Sequence, residues 1–169
     1  MPNAPVDLVK ADLHRPEHAA ALLAVLDAYA ADPMGVGRRL APEARGRLIP
    51  ALRAMPGAFQ VLAFAGGQPV GAAVCFTGFS TFRARPLTNL HDLAVLPAWR
   101  GRGVGRRLLI EVETLARARG HCKVTLEVRE DNAVALGLYR RLGFGSGEGA
   151  CEGGVRAVQY LFLEKRLSD

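Results

Sequence analysis

The hydrophobic positions of the chain repeat with two periods, and each period predicts one kind of element. Apolar residues at alternate positions predict strands at residues 6–10, 58–65, 70–77, 87–95 and 123–128, with two more at 144–151 and 155–165 around Gly153-Gly154. Apolar residues three and four apart predict helices at residues 16–31, 42–55, 103–119 and 132–142. Strands that alternate with helices are typical of a layered α/β fold.

Proline and glycine mark the boundaries between these elements. Pro16 and Pro42 suit the first turn of a helix, and Gly120 suits a helix end. The turn Gly66-Gly67-Gln68-Pro69 between two apolar runs predicts a hairpin, and residues 78–86 predict a loop.

Composition indicates a single globular domain spanning residues 1–169. The chain has 169 residues, of which 50% are hydrophobic and 22% are charged, so it can bury a core. No apolar run reaches the length of a membrane span, and residues 1–5 have no signal-peptide pattern. Its three cysteines, without a C-x-x-C pair, form no disulfide framework or metal site and fit a reducing cytoplasm. We therefore expect a cytoplasmic protein without a bound metal.

The region from Leu90 to Gly105 carries the clearest functional signal. Its apolar strand ends at Pro97 and passes through the glycine-rich segment 100–105 into a helix. Glycines let the backbone approach an anion, and the N–H groups at a helix N-terminus donate to it. Four arginines, at positions 100, 102, 106 and 107, add positive charge to a chain whose net charge is +6. This pattern predicts a phosphate-binding loop.

Two motifs in this order resemble the GNAT family of N-acetyltransferases. The first is Arg100-x-x-Gly103-x-Gly105, and the second is Asn132-x-x-Ala135-x-x-x-Tyr139-x-x-x-Gly143-Phe144. The resemblance covers residues 87–144. It implies the element order β-α-α-β-β-β-α-β-α-β-β, with a mixed sheet splayed at its centre and helices on both faces.

The resemblance also implies acetyl-CoA as cosubstrate and direct transfer of its acetyl group to a primary amine in a ternary complex. Backbone N–H groups of the loop would hold the pyrophosphate, and the strand 93–95 would pair with the pantetheine arm. In the family the acetyl carbonyl lies near the N–H groups of this strand, and these groups can act as an oxyanion hole. The implied cofactor-binding residues are Leu93, Ala94, Val95, Arg100, Gly101, Arg102, Gly103, Val104, Gly105, Arg106, Asn132, Ala135 and Tyr139.

Tyr139 stands at the family position whose hydroxyl lies near the coenzyme sulfur, so the resemblance implies that it protonates the leaving thiolate. A helix tyrosine packed on the core is the alternative. Asn132 fits both an N-cap and a contact with the pantetheine arm.

His91 is the candidate general base that would remove a proton from the attacking amine. The segment 90–95 is similar to that of arylalkylamine acetyltransferases, in which a histidine at this position has that role. A strand histidine bonded to a neighbour, or a water chain in place of a single base, remains open. In a regular strand Asp92 points to the opposite face, and a β-bulge there would reverse the ranking of the two residues.

The other histidines, His14, His18 and His121, lack metal-ligand spacing, and we expect them at the surface. Cys75 and Cys122 lie in predicted strands or at their ends, and we expect them to pack as small hydrophobic residues.

The family places the acceptor site between the first two helices and the loop before the central strand. Candidate lining residues are Tyr29, Asp32, Met34, Phe79 and Phe82, with Asp32 attracting an ammonium group. Asp32 could equally cap its loop, and the phenylalanines could belong to the core.

A non-catalytic acyl-CoA-binding module is the main alternative to an enzyme. Nucleic-acid binding is a weaker interpretation because no aromatic residues interleave with the loop arginines. The acceptor is a small-molecule amine or a peptide or protein amine, and we expect no nucleic acid or membrane partner. A homodimer remains open.

Overall fold

The order of elements along the chain is the one that the sequence predicts. A computed structural model describes residues 4–146 and 160–167. In chain order the elements are β1 (Val6–Lys10), α1 (Pro16–Ala30), α2 (Pro42–Ala54), β2 (Phe59–Ala65), β3 (Gln68–Ser80), β4 (Arg85–Val95), a short 3-10 turn (Pro97–Trp99), α3 (Val104–Ala118), β5 (Lys123–Arg129), α4 (Ala133–Arg141), β6 (Gly145–Ser146) and β7 (Tyr160–Arg166). The predicted turn at Gly153-Gly154, and most of the two strands beside it, lie outside the described residues.

The strands form one mixed sheet in the order β1-β2-β3-β4-β5-β7-β6. Every neighbouring pair is antiparallel except β4 and β5, which are parallel. That parallel pairing covers only residues 88–90 of β4 and 124–126 of β5, although β4 continues to Val95 and β5 to Arg129. The two central strands therefore separate, which confirms the splayed sheet.

Side chains alternate between two apolar layers on the two faces of the sheet. The larger layer packs α3 and α4 on one face through residues that include Leu108, Leu109 and Val112, all fully buried. The smaller layer packs α1 and α2 on the other face and includes Leu22 and Val25. These two layers fix the position of β4 between the α1 face and the α3 face.

The predicted loop at residues 78–86 was wrong, because the β3–β4 hairpin is longer than the sequence indicates. Gly78 pairs with Leu87 and Phe79 with Pro86, so only residues 81–84 connect the strands. Glycine and proline near a hairpin end do not prevent pairing, because a strand end tolerates missing donors and side chains.

The segment between α1 and α2 is held by a buried carboxylate. Asp27 of α1 is 2% exposed and accepts hydrogen bonds from Arg39 and Arg45, each at 2.6 Å, and from the Leu40 backbone at 3.1 Å. Burial alone would raise the pKa of Asp27, but these donors hold it below its usual value. The N-terminus of α2 is thereby tied to α1.

Two of the three histidines expected at the surface are buried. His18 and His121 are each 6% exposed, whereas His14 is exposed as expected. The Nδ1 atom of His18 accepts from the Asp12 backbone at 3.1 Å, and Nδ1 of His121 lies 2.7 Å from the Thr88 hydroxyl. Each buried ring forms a hydrogen bond with a nearby group. The absence of metal-ligand spacing in the sequence does not predict whether a histidine is buried in this way.

The cysteine prediction is confirmed for Cys75 and Cys122, which are buried and free. Burial raises the pKa of the Cys75 thiol far above its usual value. A thiol held in this form is a poor nucleophile.

Protonation of His121 should make the fold less stable in mild acid. Burial, followed by the charge of Arg119, lowers the pKa of His121. The unfolded chain then binds the proton more readily, so stability is full above the unfolded pKa of about 6.5 and falls as the pH drops below it. We expect the urea midpoint to fall between about pH 7.5 and about pH 5.5, and to fall less in His121→Gln. His14→Gln, at an exposed position, is the control and should behave as the wild type. An equal fall in His121→Gln would contradict this assignment.

Candidate functional site

The separation of β4 from β5 leaves one edge of β4 without a strand partner. Leu96 donates to Val70 of β3 at 2.9 Å, and backbone groups in an antiparallel pair alternate in direction. The N–H and C=O groups of Leu93 and Val95 therefore point away from β3, into the opening, while those of Ala94 point toward β3. An extended ligand with amide groups can pair with that edge as an added strand would.

The loop after β4 presents backbone N–H groups at the start of α3. Gly101 and Gly103 have φ of 72° and 77°, in the left-handed region that favours glycine. The helix begins with a bond from Arg107 N–H to Gly103 C=O at 3.0 Å, so the N–H groups of residues 104–106 precede the first intrahelical bond. With the positive end of the helix dipole, these donors can hold a pyrophosphate.

Arg100 differs from the rest of the predicted loop, because its donors are engaged within the protein. Its backbone N–H donates to Pro97 C=O at 3.2 Å. Its Nε donates to Val95 C=O at 3.0 Å, and its Nη2 forms an ion pair with Asp32 at 2.7 Å. The expectation that the Arg100 N–H and side chain hold phosphate is therefore corrected: Arg100 supports the loop. Arg102 instead stacks on Trp99, with its guanidinium carbon 5.3 Å from the ring centroid.

The second motif lies beside the first. A Cβ added at Gly105 would lie 3.4 Å from Leu138 of α4 and 3.7 Å from Val95, so the start of α3, the body of α4 and the end of β4 converge. The side chain of Asn132 caps α4 by accepting from Ala135 N–H at 3.1 Å, which confirms the N-cap interpretation. Ala135 thus has its N–H occupied by the cap.

A β-bulge in β4 changes which side chains face α1. Val74 pairs with Asp92 while the next residue, Cys75, pairs with Leu90, so His91 is an extra residue in β4. Asp92 lies on the face of its partner Val74, which packs with α1. The His91 ring meets Phe76 on that same face, with centroids 5.5 Å apart. The alternative of a β-bulge is therefore confirmed: the bulge puts both side chains on the α1 face, where a regular strand would separate them.

Asp92 is half-buried and His91 is exposed. Burial raises the pKa of the Asp92 carboxyl, and the charge of His91 lowers it by a smaller amount. A carboxylate with a raised pKa is a stronger base than an exposed one. The structure thus reverses the ranking of the two residues and favours Asp92.

Tyr29 on α1 is the residue around which the other candidate groups gather. Its pKa is raised by burial first and then by the charge of Asp92, with further contributions from Tyr160 and Asp32, while Arg129 lowers it. These interactions bring together α1, the bulge of β4, the end of β5 and the start of β7. We call the group of Tyr29, Asp92, Arg129 and Tyr160 the polar wall.

Tyr139 is buried, with its ring centroid 5.9 Å from that of Phe144. Burial, followed by interaction with Tyr29, raises the pKa of its hydroxyl well above the usual value of 10. The hydroxyl is therefore protonated at neutral pH, as a proton donor must be.

The predicted acceptor residues divide into two groups. Tyr29 belongs to the polar wall, and Asp32 and Met34 lie in the loop that follows α1. Asp32 accepts from the Met34 backbone at 2.9 Å as well as from Arg100. Its carboxylate therefore caps the loop and is already paired with a cation of the protein. Phe79 and Phe82 are 62% and 91% exposed at the hairpin end of β3. Phe79 pairs with Pro86, six residues and about 20 Å of strand from Asp92, so neither phenylalanine lines the wall.

Two residues near Tyr29 were missed by sequence reasoning. Arg129 ends β5 and holds Asp131 through two hydrogen bonds of 2.9 and 2.7 Å, and Tyr160 begins β7. Neither belongs to a recognisable motif. Only the Arg129-x-Asp131 spacing at a strand end hinted at a fixed charge there.

Within residues 4–146 and 160–167, no group of three or more His, Cys, Asp or Glu side chains is arranged to hold a metal. Over the same residues, no helix has both the length and the apolarity needed to span a membrane.

A small pocket lies between α1 and the end of β4, next to Arg100. Its lining residues are Val25, Ala28, Tyr29, Ala94, Val95, Leu96, Pro97 and Arg100. Tyr29 and the end of the open strand therefore line the same pocket.

Comparison with known proteins agrees with this geometry. N-alpha-acetyltransferase RimI of Mycobacterium tuberculosis is 42% identical over 83 residues, which are 48% of this chain and 51% of that protein. The match therefore spans about half the length of that relative. A GNAT-family acetyltransferase from Streptococcus pneumoniae superposes with a TM-score of 0.73 at 20% identity, over 96% of this chain and 100% of that one. The PaiA N-acetyltransferase of Thermoplasma acidophilum, solved with coenzyme A, gives 0.70 at 17% identity over 96% and 99% of the two chains.

These two structures show the fold alone, and the family follows from a longer sequence match. The sequence model described as the acetyltransferase (GNAT) family matches residues 22–144, which include the open edge of β4, the glycine loop, the bulge and Tyr139. With more than half of its length in that match, this chain belongs to the acetyltransferase (GNAT) family.

Proposed function

We propose that this protein transfers the acetyl group of acetyl-CoA directly to a primary amine. The observation that carries the proposal is the open edge of β4, which leads straight into the amide-rich start of α3. Pantetheine has amides that can pair with the N–H and C=O of Leu93 and with the N–H of Val95, whose C=O already accepts from Arg100. The pyrophosphate that follows suits the N–H groups of residues 104–106. The coenzyme A in the Thermoplasma acidophilum relative supports this ligand.

The reaction needs one group that accepts a proton and one that donates a proton. The amine nitrogen attacks the thioester carbonyl, whose oxygen takes negative charge, and Asp92 accepts the proton that the nitrogen loses. The carbon–sulfur bond then breaks, and the Tyr139 hydroxyl gives its proton to the departing sulfur. Asp92 then releases its proton to solvent, and solvent returns a proton to Tyr139. The raised pKa of Asp92 makes it a stronger base, and the raised pKa of Tyr139 keeps its proton in place until the more basic thiolate forms.

The polar wall around Tyr29 is the proposed acceptor site. Asp92 supplies a negative charge that attracts an ammonium group, and Tyr29 and Tyr160 supply ring surface. Among primary amines, the similarity to RimI favours the α-amino group of a peptide or protein. We place the reaction in the cytoplasm, in keeping with the free buried cysteines.

A change in the glycine loop should weaken acetyl-CoA binding. Gly103 and Gly120 have φ of 77° and 70°, and an added Cβ meets nothing within 4 Å at either site. Alanine should therefore lower the free energy of unfolding by about 1–2 kcal/mol at each position. At about 100-fold excess over Kd, acetyl-CoA should raise the Tm by about 5–10 °C in the wild type. In Gly103→Ala this shift should fall by more than half, and the control Gly120→Ala should keep it. An unchanged shift in Gly103→Ala would place the ligand elsewhere.

Removal of the Tyr139 hydroxyl should slow turnover without preventing binding. Tyr139→Phe keeps the buried ring and loses the proton donor, so we expect kcat to fall about 100-fold. The acetyl-CoA-dependent rise in Tm should stay near the wild-type value. Release of coenzyme A thiol, measured over a panel of peptide and small-molecule amines, gives the rate. A wild-type rate in Tyr139→Phe would contradict the acid role. Binding without turnover in the wild type over the panel would favour the non-catalytic module.

The two candidate bases can be separated by substitution and pH. Asp92→Asn should lower kcat/KM for the amine about 100-fold or more and remove the acidic limb that Asp92 imposes on the pH profile. Because the Asp92 pKa is raised, that limb should lie above the usual range of carboxyl groups. His91→Asn should keep most of the wild-type rate, since the His91 ring packs on Phe76. The opposite pattern would return the base role to His91.

A further inference from the structure

Arg100 connects two parts of the molecule that are far apart in sequence. Arg100 is the first residue of the glycine loop, yet its guanidinium donates to Asp32, which lies 68 residues earlier, just after α1. The same guanidinium donates to Val95 C=O, one of the groups on the open edge of β4. One side chain therefore touches the strand edge and the first turn after α1, and its own backbone belongs to the loop.

Asp32 in turn organises the segment between α1 and α2. Its carboxylate accepts from Met34 N–H, and its backbone carbonyl accepts from Gly35 and Gly37 at 2.9 and 3.2 Å. The N–H groups of Val36 and Arg38 both donate to Ala30 C=O at 3.1 Å. The segment is thus folded back on the end of α1 and held at Asp32.

This folded segment is in close contact with the backbone of Tyr29. A Cβ added at Gly35 would overlap the Tyr29 carbonyl oxygen and lie 3.1 Å from the carbonyl carbon. The segment therefore lies directly against the backbone of Tyr29, and the charge of Asp92 is among the causes that raise the Tyr29 pKa. The chain of contacts runs from the loop through Arg100, Asp32 and Gly35 to Tyr29.

We propose that the Arg100–Asp32 ion pair positions the acceptor wall in response to coenzyme A binding. The inference rests on the proposed function, because it needs coenzyme A in the glycine loop. Coenzyme A bound to residues 101–106 fixes the backbone that carries Arg100. The fixed guanidinium then holds Asp32 more of the time, so the segment 31–41 and Tyr29 occupy one arrangement before the amine arrives. Arg100 and Asp32 are positioning residues, and neither touches the reacting atoms.

The geometry of the pair fits such a role. Asp32 has a side chain 11% exposed and that of Arg100 is 48% exposed, so the pair is accessible enough to open and is partly shielded when closed. Hydrogen bonds from Arg100, then from the Met34 backbone, lower the pKa of Asp32. The carboxylate therefore stays charged through the neutral range, and the pair responds to ligand binding and not to pH.

Amide hydrogen exchange with coenzyme A as the only ligand tests this inference without a known acceptor. The reporters are the amides within residues 33–40, which lie in the folded segment and outside the glycine loop. In the wild type, coenzyme A should slow exchange in residues 101–106 and also, about two- to fivefold, in residues 33–40, the size expected of a partly exposed ion pair.

Asp32→Asn is the principal variant, because asparagine keeps the turn that binds Met34 N–H but loses the charge. Its residues 101–106 should still be protected by coenzyme A, while residues 33–40 should show no added protection. Arg100→Gln leaves Asp32 intact and should give the same result, and the double variant should be no worse than either single one. Glu17→Gln is the control, because it removes an exposed ion pair with Arg15 elsewhere on α1. It should match the wild type.

Two results would overturn the inference and are distinct from each other. If coenzyme A protects residues 101–106 but the effect on residues 33–40 is absent in the wild type or unchanged in Asp32→Asn, the pair does not couple the two regions. If coenzyme A protects no part of the wild-type protein, the proposed function itself fails and the coupling fails with it.

Discussion

The site depends on where the parallel pairing of β4 and β5 stops. The pairing ends at Leu90 and Leu126, and both strands continue past it. Backbone groups that would be bonded in a continuous sheet are left facing a gap, and unsatisfied groups of this kind favour a ligand that can pair with them. The α3 and α1 layers hold β4 from its two faces, so the position of this edge is set by the packing of the fold. Two features at the ends of this free edge, the bulge and the glycine loop, then determine what can bind and react there.

The bulge at His91 matters because one extra residue changes the direction of a charged side chain. Without it, Asp92 would face the α3 layer, where an unpaired carboxylate would be strongly unfavourable. With the bulge, Asp92 lies on the α1 face, where its charge raises the pKa of Tyr29. Because Asp92 is only partly buried, its pKa is raised but the carboxylate can still carry its charge. At the other end of the edge, Arg100 closes the strand by binding Val95 and reaches across to Asp32. The free edge therefore joins the donor side and the acceptor side of the proposed reaction.

Most of the fold could be predicted from the sequence, because strand and helix periods, prolines and glycines act locally. The strand at Val6–Lys10 and the start of α1 at Pro16 are examples. The splay and the proposed function of the glycine loop came from two spaced motifs that resemble a family, because hydrophobic periodicity reveals neither. The bulge could not be predicted, since it depends on the register between β3 and β4. The buried partners of His18 and His121, the engagement of Arg100 by Asp32, and the positions of Arg129 and Tyr160 are likewise long-range contacts. The spacing of residues along the chain does not predict such contacts.

The central claim is that the free edge of β4 and the start of α3 bind one coenzyme A molecule together. Backbone amide chemical shifts during a coenzyme A titration test it most directly. We expect large shifts that saturate together at Leu93, Val95 and residues 104–106, with little change at Gly57 and Gly120, which lie toward the other end of β3 and β4. Shifts confined to the surface arginines, or an edge of β4 that does not respond while the loop does, would contradict the account.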